Sequence, residues 1–279
     1  MSAVLKTRIL TALVLIPLLV AALFYLPPGW IAVLFGVFIA AAAWEWVTLS
    51  GFRSLPGRAA YVFFLLSFGG AAIYGVNMQP PLAPPFFAAA VLWWLWALVD
   101  LTRHPVINRG MFTRLAGRLT GGALVLIPPW AAAVYMLATD PKSPRMLLYL
   151  FVLVWVADTA AYFAGSFYGK TRLAPHVSPG KTVEGVVGGV LGVVLLAWLC
   201  GTMIWHLESR ALVRWIGLAV VTALFSVVGD LTESKLKRIA GVKDSGSLIP
   251  GHGGVLDRID ALTAAMPVFV LGILILAKF

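Results

Sequence analysis

Cysteine is almost absent. Among 279 residues only Cys200 carries a thiol, so no internal disulfide framework is available and cysteine usage gives no redox clue. Charge is scarce too: 11% Asp, Glu, Lys and Arg stands against 61% apolar residues, too little polar side chain to coat a water-soluble surface. The chain has no low-complexity tract, no internal repeat and no long linker, and its 11 Trp and 16 Phe exclude a disordered chain or a coiled coil. Acids are outnumbered by bases, 11 against 21 Lys and Arg, for a net charge of +10. The bases sit in short stretches between apolar runs, which is a pattern of membrane topology and lipid contact; no nucleic acid partner is expected.

What is abundant is apolar sequence in runs of spanning length. A helix needs about 20 mostly apolar residues to cross roughly 30 Å of hydrocarbon. Nine runs are candidates for that, at roughly 9–26, 30–49, 59–76, 85–99, 119–138, 146–165, 183–205, 212–229 and 261–277, and predict an all-α polytopic membrane protein. The first follows Lys6 and Arg8 but ends at Pro27 and Pro28 without a small-residue cleavage pattern, so it reads as a helix and not as a signal peptide. Alternate loops divide the bases 16 to 5, the smaller set being Lys142, Arg145, Arg210, Arg214 and Lys278. That bias places the N-terminus in the cytoplasm, in a bacterial cytoplasmic (inner) membrane or a eukaryotic internal one. Residues 103–118 interleave four arginines with Val106, Ile107, Met111, Phe112 and Leu115. They suit either an amphipathic stretch on an anionic leaflet or a plain positive-inside loop. Trp93, Trp94 and Trp96 read as a membrane belt.

Eight of the eleven acids lie from Asp158 onward, which divides the chain into an N-terminal scaffold (1–118), central helices (119–157) and a C-terminal region where polar chemistry concentrates (158–279). Glu45 and Asp100 lie nearer helix ends and read as reaching the interface. Asp158 sits deep in the sixth run, where a carboxylate is costly and therefore a functional candidate. Asp230 ends the eighth run, with Glu233, Ser234 and Lys237 at helical spacing behind it; Asp257 and Asp260 open the ninth. Carboxylates gathered at one interface suit a hard cation such as Mg2+ or pairing with Lys235, Lys237, Arg238, Lys243 and Arg258, and both readings stand. Between them Gly251, His252, Gly253 and Gly254 precede a helix, a construction that presents amides to phosphate or simply makes a tight turn. Gly180, Lys181 and Thr182 invite a P-loop reading, which fails because Pro175 occupies the earlier glycine position and no strand is expected before it. Ser178 and Lys181 remain as phosphate contacts or helix capping, with Glu184 in the first turn.

These residues together resemble a known pattern. The stretch SKLKRIAGVKDSGSLIPGHGGVLDRID (234–260) is similar to the signature of phosphatidate cytidylyltransferases, or CDP-diacylglycerol synthases, at Ser234, Lys237, Arg238, Lys243, Asp244, Pro250, His252, Gly253, Gly254, Asp257, Arg258 and Asp260. The stretch 178–185 and Asp158 are similar as well, while the N-terminal half agrees mainly in hydropathy. The resemblance implies a nucleotidyltransferase of phospholipid biosynthesis that joins CTP and phosphatidic acid into CDP-diacylglycerol and pyrophosphate. It implies Mg2+ on Asp230 and Asp257, with Asp260 and Asp158 as further candidates, a second, monovalent cation such as K+, and a homodimer among membrane lipids. Asp230, Asp257, Lys237, Arg238, His252 and Asp260 are then expected in catalysis, and Ser178, Lys181, Ser234, Lys243, Asp244, Gly253, Gly254 and Arg258 in substrate binding. Rival readings are a CTP-dependent transferase or kinase acting on another lipid, and an ion-coupled transporter using Asp158.

Overall fold

The computed structural model describes residues 3–105, 109–139, 143–249, 251 and 253–276. Nine α-helices follow one another among them: α1 (Ala3–Tyr25), α2 (Pro28–Leu49), α3 (Leu55–Met78), α4 (Ala83–Arg103), α5 (Leu115–Thr139), α6 (Ser143–Tyr168), α7 (Val183–Met203), α8 (Ser209–Ile239) and α9 (Leu256–Leu276). Eight of these, α2 to α9, are long and apolar enough to cross a membrane, and α1 shows an apolar segment over Ile16–Tyr25. The all-α membrane architecture is thus present, and each predicted run falls on one helix.

Two local departures matter for the site. α8 runs ten residues past the predicted end at Gly229, and its 31 residues span about 46 Å, more than the hydrocarbon needs. Its last turns therefore project beyond the apolar layer and carry Asp230, Glu233, Ser234 and Lys237 with them. Between α6 and α7 lies an antiparallel hairpin, β1 (Arg172–Ala174) and β2 (Ser178–Thr182), paired Arg172 to Thr182 and Ala174 to Ser178. A strand does precede Gly180, against the sequence expectation, but Pro175 still breaks the P-loop pattern, and Lys181 stands on a strand and not in a phosphate-wrapping loop.

α5 is the most buried span, with Pro128 and Pro129 inside it, and packs against α2, α3 and α9. Prolines survive mid-helix here because neighbouring helices shelter the freed backbone groups. At one end of the bundle the loops α2–α3, α4–α5, α6–α7 and α8–α9 are tied together. Trp46 Nε1–H donates to Arg118 O at 2.7 Å and Tyr61 O–H to Leu119 O at 2.9 Å. Residues 106–108 lie outside the described residues, but the rest of the arginine-rich stretch does not lie on the surface as an amphipathic helix. It makes a 3-10 turn at Met111–Thr113 whose Phe112 is fully buried against Trp46, and Arg118 Nε–H closes it by donating to Phe112 O at 2.7 Å. Trp94 likewise leaves the expected belt for the core, while Trp96 stays half-exposed.

Candidate active site

The last turns of α8 and the first of α9 meet at the tied end. Gly229 makes the approach possible: a Cβ there would stand 2.5 Å from Asp260 O on α9. Asp230 faces Lys181 of β2, with Nζ 2.5 Å from Oδ2, and its Oδ1 accepts the Ser234 hydroxyl at 3.2 Å. Lys237, one turn on, bridges Glu233 Oε2 and Asp257 Oδ1, each at 2.6 Å. Asp257 Oδ2 accepts the backbone N–H groups of Ser245 and Gly254, both at 2.9 Å. Asp260 lies within electrostatic reach of Asp230 and Glu233, and Asp158 on α6 within reach of Asp230 and Lys181.

The sequence pairing alternative is therefore realised only in part. Of the five bases weighed as partners, Lys237 alone pairs with these acids. Lys235 points the other way, fully buried, with Nζ 2.7 Å from Asp100 Oδ2 and donating to His104 O at 3.0 Å; Asp100 Oδ1 also accepts Met111 N–H at 3.0 Å. Five carboxyl groups (Asp158, Asp230, Glu233, Asp257, Asp260) thus share two ammonium groups, Lys181 and Lys237. Glu233 is 2% exposed and its Oε1 has no hydrogen-bond partner among the described residues. An excess of hard oxygen donors with an orphaned carboxyl oxygen is in kind what a divalent cation neutralises. As the side chains stand, no group of three His, Cys, Asp or Glu converges as metal ligands among the described residues.

A cleft of about 560 Å³ opens beside this cluster between α6, β2, α7 and α8. Asp158, Arg172, Ser178, Lys181 and Asp230 form its polar end; Ala161, Val186, Val190, Leu224 and Val227 are among its apolar walls. The wall between α6 and α7 is thin because glycine permits it: a Cβ at Gly185 or Gly189 would stand 2.9 Å from Ala161 O or Ala157 O. The capping alternative for the hairpin is answered by other residues. Thr182 Oγ1 accepts Gly185 N–H at 3.1 Å, and Glu184 accepts the N–H groups of Lys170 and Thr171, each at 3.1 Å. Lys181 is left facing Asp230, with Ser178 on the cleft.

Several expected contacts lie elsewhere. Arg238 secures the hairpin, its Nε–H donating to Val177 O at 3.2 Å, and a terminal nitrogen donates to Val242 O at 3.2 Å. Lys243, Asp244 and Arg258 are exposed and do not line the cleft. The Gly254 amide, expected to face phosphate, is instead spent inside the protein on Asp257, which corrects that reading. Gly253 accepts Ile249 N–H at 3.0 Å and has φ +82°, a left-handed conformation that favours glycine. His252 and Pro250 lie outside the described residues. Glu45, read as a helix-end acid, is 3% exposed, and its carboxyl group accepts from Ser245, Val255 and Leu256. An acid within an apolar run was the available signal; its partners, two hundred residues away, were invisible.

Comparison with known proteins places the chain in a family. The model of the cytidylyltransferase family matches residues 6–276. A phosphatidate cytidylyltransferase of Pseudomonas aeruginosa is 41% identical over 265 residues, covering 95% of this chain and 95% of that one. Those of Haemophilus influenzae and Thermotoga maritima are 38% and 33% identical, covering 95% of this chain and 97% and 94% of theirs. A basic and acidic site at one end of an apolar bundle, and a match running almost end to end, lead to one conclusion: the chain belongs to the cytidylyltransferase family.

Proposed function

We propose that this chain transfers a cytidylyl group from CTP to phosphatidic acid, forming CDP-diacylglycerol and releasing pyrophosphate. The observation that carries the reading is the cleft: charged side chains at its end and apolar walls along it suit a substrate with a phosphate head and acyl chains. Near-full-length similarity to enzymes named for this reaction supports the choice of substrates.

A phosphate oxygen of phosphatidic acid attacks the α-phosphorus of CTP; the bond from that phosphorus to the bridging oxygen breaks and pyrophosphate leaves. A phosphomonoester loses its second proton near pH ~6, so at neutral pH the attacking group is already a dianion and no general base is required. Lys181 and Arg172 at the cleft end meet phosphate charge, and Ser178 supplies a hydroxyl. Lys237 bridges Asp257 and Glu233, offsetting their mutual repulsion and fixing their position. Asp230 and Asp257 would hold Mg2+, with Asp260 and Asp158 nearby and a monovalent cation such as K+ as a second ion. When bound, the metal supplies neutralisation of the phosphate charge that develops during transfer. The inner membrane, a cytoplasmic-facing site and a homodimer complete the proposal; the asymmetric distribution of Lys and Arg supports the orientation.

Purified protein in mixed micelles tests it. Pyrophosphate release should require CTP, phosphatidic acid and Mg2+ together, each omitted in turn, and should fall by about 100-fold or more in Asp257→Asn. Asp158 on the cleft wall favours one second reading, a CTP-dependent enzyme acting on a lipid alcohol, since a hydroxyl nucleophile needs a base. Turnover with a polyprenol and none with phosphatidic acid would replace the first reading by the second.

A further inference from the structure

Glu45 belongs to α2, in the half of the chain that sequence alone treats as scaffold, yet it is built into the site's support. Its Oε2 accepts the Ser245 hydroxyl at 2.8 Å and Leu256 N–H at 2.8 Å, and its Oε1 accepts Val255 N–H at 3.0 Å. The amides of Val255 and Leu256 are among the donors that the start of a helix leaves unsatisfied, so α2 supplies the cap of α9. Asp257 grips the same segment from its other side through the amides of Ser245 and Gly254. Two carboxyl groups therefore bracket one turn, and Ser245 touches both: its hydroxyl goes to Glu45 and its amide to Asp257.

The glycines of the turn follow from this. A Cβ on Gly246 would stand 2.5 Å from Glu45 Oε1, and one on Gly254 would collide with Glu45 Oε2 and Ser245 Oγ. Glycine at both positions makes room for a carboxyl group arriving from another helix. All three partners of Glu45 are donors, a set matched to a group that only accepts. Burying such a group in an apolar bundle is costly unless each lone pair is used.

We propose that Glu45 is a positioning residue for the transfer reaction, setting Ser245, Gly246 and residues 254–256 and through them the orientation of Asp257 and its partner Lys237 without touching substrate. This rests on the reading that places Asp257 in the site. The test uses the full chain in detergent micelles, with Glu45→Gln, Ser245→Ala and Asp257→Asn. Amide hydrogen exchange of the peptide 245–258, followed without metal or substrate, reads the turn directly. In Glu45→Gln it should quicken about tenfold or more while α5 peptides stay unchanged. The kcat should fall about tenfold or more with KM for CTP moving less than about threefold, the split expected when binding groups stay in place. Unchanged exchange, or quicker exchange at full kcat, would overturn the proposal and leave Glu45 as a helix cap. Should Glu45→Gln not fold, Ser245→Ala decides, because it leaves the α9 amides on Glu45: smaller changes in the same direction support the proposal, and none overturns it. Full activity in Asp257→Asn would remove the site reading whatever Glu45 does. Loss in Asp257→Asn beside an unaffected Glu45→Gln would remove the positioning role alone.

Discussion

Lys181 and Lys237 approach the acidic cluster from different elements, and the two lysines have different duties. Lys237 is held by Glu233 and Asp257 inside the protein, whereas Lys181 lines the cleft and has Asp230 as its partner. Lys181→Ala should lower kcat/KM for pyrophosphate release by about 100-fold, the scale of one donor removed from a charge-developing centre; unchanged kinetics would leave the lysine as a hairpin anchor. Asp257→Asn should lower kcat by about 100-fold or more at unchanged elution in detergent. Lys235 should behave oppositely, as a residue of stability. Lys235→Ala strands Asp100 without its cation and should cost about 3–5 kcal/mol in detergent unfolding, while the double change Asp100→Asn with Lys235→Met should recover part of it. That Asp230, Glu233, Ser234 and Lys237 lie close together was legible in the sequence because their helical spacing is local. The pairing of Lys235 with Asp100 across 135 residues was not, since spacing cannot say which way a side chain on a buried helix points.

At the scale of elements, glycine sets the distances. The α6–α7 contact is close because Gly185, Gly188, Gly189 and Gly192 let one helix lie on the backbone and alanines of the other. Gly189→Leu would drive a side chain into Ala157 O, at an overpacking cost of about 1–3 kcal/mol. It should separate α6 from α7, deform the cleft and raise KM for phosphatidic acid about tenfold or more while the helical content by circular dichroism stays the same. An unchanged KM would mean that the lipid does not use this cleft. Helix boundaries were legible wherever apolar runs ended at prolines or charges. The end of α8 was not, because residues 230–239 are too polar to read as a span and are held helical by contacts with α4, α9 and the hairpin.

For the whole molecule, the loops that carry the candidate site share one end of the helical bundle, and vesicle labelling checks which side of a membrane that end faces. In a Cys200→Ala background, Lys243→Cys should react with an impermeant maleimide in inverted vesicles and Arg210→Cys in right-side-out ones; the reverse pattern would invert the topology. The sequence by itself determined that this is a polytopic helical membrane protein, because about 20 apolar residues are enough to span hydrocarbon and nine runs of that kind can be counted. It also determined where polar chemistry concentrates, because acids are rare enough in such a chain to mark it. Only the tertiary structure decided which lysine serves which acid, that Gly254 gives its amide to Asp257, and that Glu45 reaches the turn before α9. The contacts of Glu45 with the segment before α9 and of Lys235 with Asp100 join residues far apart in the chain, and which partner each meets is chosen by helix packing, which no local pattern encodes.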